Sequence, residues 1–294
     1  MRMRYRKDIN SRDIKPIVCI SGDINGDFED RTRLSEYLSI LANYNVKATF
    51  PTTLDVAERY TERIKLIIKG GHEIAGHGDV HKMFRGSSLY EQERRLRRMI
   101  EGFYDILGVD VKGFRAPWCK WDKNTHLALS RVGLKYDSSI KRLEILFRLP
   151  YIRKRNMEIM GYGYIKPLLK LGAQLYNVTQ RSSRYPYYVA PNLLEIPVLG
   201  YSDHYLIDSP KGPGYTKSDV DKIGAVWLEN LRCLDKGGVM VIDAHPGFFS
   251  PDYVGAMDYF IKNALKSGAV FRTLCAIASE FGENIKIYNQ DDTT

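Results

Sequence analysis

Residues 71–81 read Gly-His-Glu-Ile-Ala-Gly-His-Gly-Asp-Val-His, and this stretch decides how the rest of the chain is interpreted. The short apolar piece 73–75 is typical of a buried strand, which Gly76 ends. His77 and His81 follow at a spacing of four residues, and on one helical turn this spacing places both imidazoles on the same face. Two such imidazoles can share a divalent cation. A metal site and a pair of unrelated surface histidines are the two readings of this segment.

Short apolar runs alternate with amphipathic helical segments about six or seven times, without a linker or a repeat of 20–50 residues. This pattern predicts one α/β domain with a parallel sheet, and 294 residues are within reach of a single barrel. The predicted strands cover residues 16–21, 46–50, 73–75, 111–116, 134–138, 193–198, 238–244 and 269–272.

Polar residues follow at least four of these strands. In α/β barrels the active-site residues lie at the carboxyl ends of the strands. Polar residues after several strands therefore favour a barrel over an open doubly wound sheet. The candidate site residues at this rim are Asp23, Asn25, His77, His81, Arg115, Pro117, Trp118, Asp203, His204 and His245.

The helix that follows the histidine pair begins at a capping box, Ser88-Leu-Tyr-Glu91. Its apolar stripe predicts that four arginines lie on the solvated face: Arg94, Arg95, Arg97 and Arg98. The next helix is predicted over residues 123–132, with His126 exposed.

Four polar motifs occur in order: Asp23-Ile-Asn25, His77-Gly-Asp-Val-His81, Arg115-Ala-Pro-Trp118 and Asp243-Ala-His245. Together they resemble the motifs of the polysaccharide deacetylase family, carbohydrate esterase family 4. The resemblance covers residues 16–281 apart from a basic insert, and two further segments, 71–75 and 136–139, also look like the family. It implies a single-domain, deformed (β/α) barrel with one divalent metal, zinc first and nickel, cobalt or manganese as alternatives.

The resemblance also implies a role for each matching residue. His77, His81 and Asn25 would hold the metal, although an Asn amide brings no negative charge to a position where the family has a carboxylate. Asp27 is an alternative ligand, and Asp23 is another in a different register. Gly78 stands where the family has Ser or Thr.

In the register preferred here Asp23 is the general base, Arg115 holds it ionised, and His245 protonates the leaving amine. Pro117, Trp118, Asp203 and His204 are assigned to the substrate. Asp203 has two roles open to it, a pair with His245 or a contact with a substrate hydroxyl.

The resemblance implies a metal-dependent hydrolase that removes an N-acetyl or related N-acyl group from an amino sugar or glycan, with a metal-activated water attacking the amide. One alternative is a metal-free amidohydrolase of the allantoinase type, which Asn25 favours and the retained His77 and His81 oppose. Another is a carbohydrate-binding pseudoenzyme. Nucleic acid is not an expected partner, because the basic residues are not interleaved with aromatics on a recognisable module.

The net charge of +9 is concentrated in residues 141–185, which hold ten Lys or Arg against two Glu. One interpretation of this basic and apolar insert is a binding surface, either for an anionic bilayer or for a phosphorylated, lipid-linked substrate. The other is a helical excursion that packs on the barrel. The predicted organisation is a basic extension (1–15), the barrel (16–283) and a tail (284–294).

The expected cellular location is inferred from the apolar runs and the cysteines of the sequence. The first residues are basic without an apolar stretch behind them, and no apolar run approaches the roughly 18 residues that cross a bilayer. Four scattered cysteines favour a reducing compartment, with Cys19 and Cys233 as small buried hydrophobes. The expectation is a cytoplasmic protein that contacts the inner face of the membrane through residues 141–185. For the oligomeric state, a homo-oligomer is one alternative.

Overall fold

The first strand, β1 (Ile17–Ser21), organises the sheet because its last four residues are all buried. It pairs in parallel with β10 (Val239–Asp243) over five residues. It also pairs with β11 (Val270–Phe271) and, at its carboxyl end, with β2 (Thr49–Thr52). The computed structural model of the chain describes residues 15–26, 33–142, 183–200, 203, 223–234, 237–248 and 251–291, with side chains from 253 to 282 in the last range.

The remaining strands of the sheet are β3 (Glu73–Gly76), β4 (Gly113–Phe114), β5 (Tyr136–Asp137), β6 (Lys141–Arg142), β7 (Tyr187–Ala190), β8 (Leu193–Glu195) and β9 (Val198–Leu199). The sheet runs in the order β6-β9-β10-β1-β2-β3-β4-β5-β8-β7, with β11 beside β1. All of its described strand pairs are parallel except β7 with β8, which form an antiparallel hairpin. The sheet curls into a half-barrel with helices outside it, so the predicted deformed α/β barrel is confirmed.

Amphipathic helices connect the strands and bury their apolar stripes against the sheet. Ser88 caps α4 as predicted, since its hydroxyl accepts a hydrogen bond from the Glu91 amide. The reciprocal half of the predicted capping box is absent, because the Glu91 carboxylate binds Arg94 instead. The helices are α1 (Leu34–Asn43), α2 (Leu54–Arg59), α3 (Thr61–Lys69), α4 (Leu89–Leu107), α5 (Lys123–Arg131), α6 (Ile223–Arg232), α7 (Pro251–Lys266) and α8 (Leu274–Asp291).

The chain between β2 and β3 forms two helices, α2 and α3, which meet at Tyr60, where φ is −124°. Two elements differ from the prediction. The predicted strand 111–116 shortens to the two residues of β4, because the chain turns at Pro117 into a short 3₁₀ segment, Pro117–Cys119. The segment predicted as a tail is helical as far as Asp291, since α8 continues past the predicted boundary at 283.

The interior of the half-barrel is filled by apolar side chains from alternate strand positions and is closed by α8. Cys19 belongs to this cluster. Burial, together with the neighbouring Glu73 carboxylate, raises the pKa of the Cys19 thiol to about 12, which agrees with its predicted role as a small hydrophobe. The same prediction is wrong for Cys233, which is exposed because it follows α6 at the surface.

Two predicted segments lie largely outside the described residues: the extension 1–15, of which only Lys15 is described, and the insert 141–185, of which 143–182 are not. None of the helices found in the described part of the chain combines the length and the apolar character that crossing a membrane requires.

Candidate active site

Polar side chains from four strands meet at the carboxyl edge of the sheet, where the sequence places them. Asp23 follows β1, His77 follows β3 and Arg115 follows β4. Asp243 is the last residue of β10, and His245 comes two residues later. Because neighbouring parallel strands end at the same edge, these side chains converge although they are far apart in sequence.

Arg115 fixes the Asp23 carboxylate. The fully buried guanidinium donates from Nη1 to Asp23 Oδ1 at 2.8 Å and to Asp243 Oδ1 at 3.3 Å. Its other nitrogens donate to the Ser138 carbonyl at 2.9 Å and the Ser138 hydroxyl at 3.2 Å. Burial by itself would raise the pKa of Asp23, but Arg115, followed by His77 and His245, holds it well below its usual range. Asp23 is therefore ionised at neutral pH.

His77 presents an open lone pair to the site. Its Nδ1 lies 2.8 Å from the Arg115 carbonyl oxygen, which can only accept, so Nδ1 carries the proton. Its Nε2 is buried, forms no hydrogen bond with the described residues and lies 3.6 Å from Asp23 Oδ2. Burial, partly offset by Asp23, lowers the pKa of His77 to about 4. A neutral imidazole whose far nitrogen is held by a carbonyl is the usual form of a metal-ligating histidine.

His81 lies beside His77, but the two are joined by a loop and not by the helical turn that their spacing indicated. The chain bends at Gly78, whose φ of +101° is a conformation that L side chains rarely adopt. The glycine in place of the family's Ser or Thr thus matches the local backbone. The centroids of the two imidazole rings are 5.2 Å apart.

Trp118 covers the outer side of His81, with ring centroids 4.1 Å apart. The indole is 54% exposed, so it lines the mouth of the site and does not belong to the core. Its φ of 53° and that of Cys119, 56°, are both left-handed, a strained conformation that clusters at functional sites. Pro117 is buried at the start of the same turn.

His245 is held by Asp203, which is fully buried. The His245 Nδ1 lies 2.6 Å from Asp203 Oδ1, and Asp203 Oδ2 accepts from the His245 amide and, at 2.9 Å, from the Tyr253 hydroxyl. Of the two roles left open for Asp203, the contact with His245 is the one present. Burial would lower the pKa of His245, but the carboxylates of Asp203, then Asp243 and Asp23, raise it to about 10. The imidazolium is thus the neutral-pH form.

Two sets of donors at this edge could hold a cation. Asp23, Asp243 and His245 bring ligand atoms within 4.8 Å of one another. In that set, however, Arg115 already bonds both carboxylates and His245 is protonated, so its charges balance without a metal. His77 is neutral with an open lone pair and has His81 beside it. His77 and His81 therefore fit a divalent metal better, and Asp23 Oδ2 is the nearest carboxylate oxygen to His77 Nε2.

The remaining predicted ligands are less defined. Asn25 is half-buried two residues past Asp23, after Ile24, which pairs with Thr52 at the end of β2. Asp27 and His204 lie outside the described residues.

Three polar residues of the site were not assigned roles from the sequence. Asp243 stands within a quoted motif, and its place at the end of an apolar strand was a usable signal. Ser138 likewise follows a predicted strand. Tyr253 carries no such signal, because its contact depends on how α7 packs against the sheet.

Residues 20–136 match the family model described as polysaccharide deacetylase. Over these residues, which are less than half of the chain, the protein is similar to polysaccharide deacetylases. The matched residues carry Asp23, His77, His81 and Arg115, and the match supports the predicted enzyme class, a hydrolase that acts on amide bonds.

Individual relatives extend the comparison over most of the chain. A peptidoglycan deacetylase of Helicobacter pylori is 24% identical over 217 residues, which cover 70% of this chain and 67% of that protein. The crystal structure of a putative polysaccharide deacetylase from Mycobacterium smegmatis is 23% identical with a TM-score of 0.68, covering 92% of each chain. A crystal structure of an allantoinase has 13% identity and a TM-score of 0.64, covering 90% of this chain and 89% of that one. The two structures show the shared fold.

Arg95 positions the loop that carries His77 and His81, and its predicted place on the solvated face of α4 is wrong. The side chain is 3% exposed. It donates to Asp79 Oδ1 at 2.8 Å and to the carbonyls of Val80, Lys82 and Met83, and its guanidinium lies 4.1 Å from the centre of the Phe84 ring. The aromatic ring and the loop carbonyls turn inward a side chain that helical periodicity alone places outside. Arg94, Arg97 and Arg98 are exposed as predicted.

We expect Arg95→Met to destabilise the protein by about 3–5 kcal/mol, since it leaves Asp79 buried without its partner. It should also weaken metal binding, because the backbone between His77 and His81 loses its support. Arg94→Met is the matched control, as Arg94 is exposed and pairs with Glu91 at the surface. Urea unfolding of both variants measures the difference, and equal midpoints would contradict this role of Arg95.

Proposed function

We propose that this protein is a divalent-metal-dependent hydrolase that removes N-acetyl groups from an amino sugar or glycan. One observation carries the proposal: the second oxygen of Asp23, Oδ2, lies 3.6 Å from His77 Nε2 and 4.0 Å from His245 Nε2, while Arg115 holds the first oxygen at 2.8 Å. A carboxylate, an open imidazole nitrogen and an imidazolium thus surround one small space.

The electrostatics suit opposite roles for Asp23 and His245. Asp23 is ionised and its Oδ2 is free of Arg115, so it can accept a proton from a water molecule in this space. His245 donates its Nδ1 proton to Asp203, so the proton on Nε2 is the one available to a leaving amine. Neighbouring charges push the two pKa values apart, which is how acid and base are distinguished within one site.

His77 and His81 would hold the metal, with an oxygen of Asp23 or Asn25 completing the set. When bound, a divalent metal lowers the pKa of a coordinated water and polarises a carbonyl. The protein's own contribution is to keep His77 neutral through burial and to fix its orientation through the Arg115 carbonyl.

The exposed face of Trp118 supports a sugar or an acetyl methyl as the group beside the metal ligands. The Helicobacter pylori relative is named as a peptidoglycan deacetylase, which favours an N-acetylated glycan of that kind. The basic residues of 141–185 extend the proposal to a lipid-linked or phosphorylated glycan at the inner face of the membrane.

Metal-free amide hydrolysis of the allantoinase type is the second candidate, which Asn25 and the shared fold of an allantoinase favour. Purified protein, with zinc or after chelation, separates the two when incubated with N-acetylglucosamine oligomers and with allantoin. We expect zinc-dependent release of acetate and no turnover of allantoin. Allantoin hydrolysis that survives chelation would overturn the proposal, and zinc-saturated protein that acts on neither compound would favour a pseudoenzyme.

Asn25→Asp tests the metal set directly. A carboxylate in place of the amide adds a negative charge beside the cation, so the variant should bind zinc more tightly than the wild type. The measurement is the zinc dissociation constant by competition with a chromogenic chelator. Asp105→Asn, at an exposed position of α4, is the control. Unchanged affinity in Asn25→Asp would remove Asn25 from the ligand set.

A further inference from the structure

A second group of ligand-type side chains lies away from the site described above. His126 on α5, Asp137 on β5 and Glu195 on β8 bring ligand atoms within 4.8 Å of one another. Asp137 and Glu195 are partners in the parallel register of β5 and β8, so they share one face of the sheet. We call these three residues the outer cluster.

All three residues are withdrawn from solvent, and the contacts on the side where they face one another are with members of the same cluster. Asp137 and Glu195 are fully buried, and His126 is 9% exposed, which contradicts its predicted exposure. Two of the facing atoms, His126 Nε2 and Asp137 Oδ2, lie 3.2 Å apart as an ion pair. Neither of them, nor Glu195 Oε2, forms a well-aligned hydrogen bond with a described residue. Buried polar atoms without a well-formed hydrogen bond are rare in proteins, and several of them around one point can be satisfied by a bound ion, a water molecule or a shared proton.

The opposite oxygen of each carboxyl is held in place. The Ser139 hydroxyl donates to Asp137 Oδ1 at 2.5 Å, and the Ile140 amide donates to Glu195 Oε1 at 2.9 Å. The Trp121 ring stacks on the His126 imidazole, with centroids 4.4 Å apart and planes 20° from parallel. Outer contacts that orient the ligands while leaving their inner atoms open are typical of metal sites.

The charge of the outer cluster also needs compensation. Two adjacent carboxyl groups are buried here, and no Lys or Arg of the described chain forms an ion pair with either. His126 Nε2, at 3.2 Å from Asp137 Oδ2, is the nearest cationic candidate. Burial, and after it the Asp137 carboxylate, raises the pKa of Glu195 well above its ordinary value. Either a proton or a cation must balance these groups.

We propose that His126, Asp137 and Glu195 form a second divalent-cation site, separate from His77 and His81. One imidazole and two carboxylates suit a borderline dication such as Zn²⁺. The site would stabilise the ends of β5 and β8 from outside. The next residue, Ser138, faces the other way and binds Arg115, so a cation here supports the wall that orients the Asp23–Arg115 pair.

Zinc counting tests the proposal, with zinc itself as the probe. Protein loaded with Zn²⁺ and dialysed should retain one ion more in the wild type than in Glu195→Gln. The His77→Ala variant removes the active-site ligand and should keep the outer-cluster ion, whereas His77→Ala/Glu195→Gln should keep none. Glu101→Gln, an exposed carboxylate of α4, is the matched control.

Circular dichroism establishes that each variant is folded, and His126→Asn replaces Glu195→Gln if the latter does not fold. Equal zinc content in the wild type and in a folded outer-cluster variant would overturn the proposal and leave a shared proton in its place. Because His77→Ala separates the two sites, this outcome is independent of whether the active site itself binds metal.

Discussion

Asp23→Asn should lower kcat for acetate release by about 10²–10⁴, the usual contribution of a positioned acid or base. The amide keeps the size of the carboxylate but cannot accept the proton, and it also removes the charge that pairs with Arg115. The measurement is steady-state kinetics on an N-acetylglucosamine oligomer with saturating zinc. Asp105→Asn, the same change at an exposed position, should leave kcat unchanged.

Zinc content distinguishes the two roles proposed for Asp23. If Asp23 is the base, Asp23→Asn retains zinc and loses turnover. Loss of zinc together with turnover would make Asp23 a ligand, because its Oδ2 is within reach of the same space as His77 Nε2. The base would then have to be another residue.

His245→Ala should likewise lower kcat by about 10²–10⁴, because the leaving amine loses its proton donor. Zinc binding should persist, since His245 is protonated and therefore not a ligand in this account. A variant that keeps full turnover would exclude His245 as the acid.

Asp203→Asn should change the pH dependence of the reaction. The Asp203 carboxylate is the largest of the charges that raise the pKa of His245 to about 10. The acid works while His245 is protonated, so activity is lost as the pH rises through that pKa. Without Asp203 the pKa falls, and the alkaline limb of kcat/KM should move to lower pH by about 1–3 units. Asp258→Asn, on the neighbouring α7, is the control and should leave the limb in place.

Much of the site is predictable because parallel strands end together. The apolar runs before Asp23, His77, Arg115 and His245 identify these strands, and placement at one rim follows from the fold class. The motif order adds the expected roles. The apolar runs and the motifs each span only a few consecutive residues, so they can be recognised without a structure.

Other features depend on packing that no local pattern encodes. Asp203 contacts His245, which is 42 residues away in the sequence. The sequence alone therefore left this contact as one of two alternative roles for Asp203. Arg95 and His126 are buried because neighbouring loops and strands supply partners for them, although helical periodicity predicts exposure. His77 and His81, the proposed metal ligands, are adjacent through a loop that bends at Gly78. Their spacing therefore indicated their proximity, although the helical turn inferred from it was wrong.

The most direct test of the account is a zinc titration of acetate release. Metal-free wild type and metal-free His77→Ala are each given increasing zinc, and acetate is measured from an N-acetylglucosamine oligomer. We expect the wild-type rate to rise with zinc and saturate, while His77→Ala remains at background at every zinc concentration. A wild-type rate that is already maximal without zinc, or a His77→Ala rate equal to the wild type, would contradict a catalytic metal held by His77.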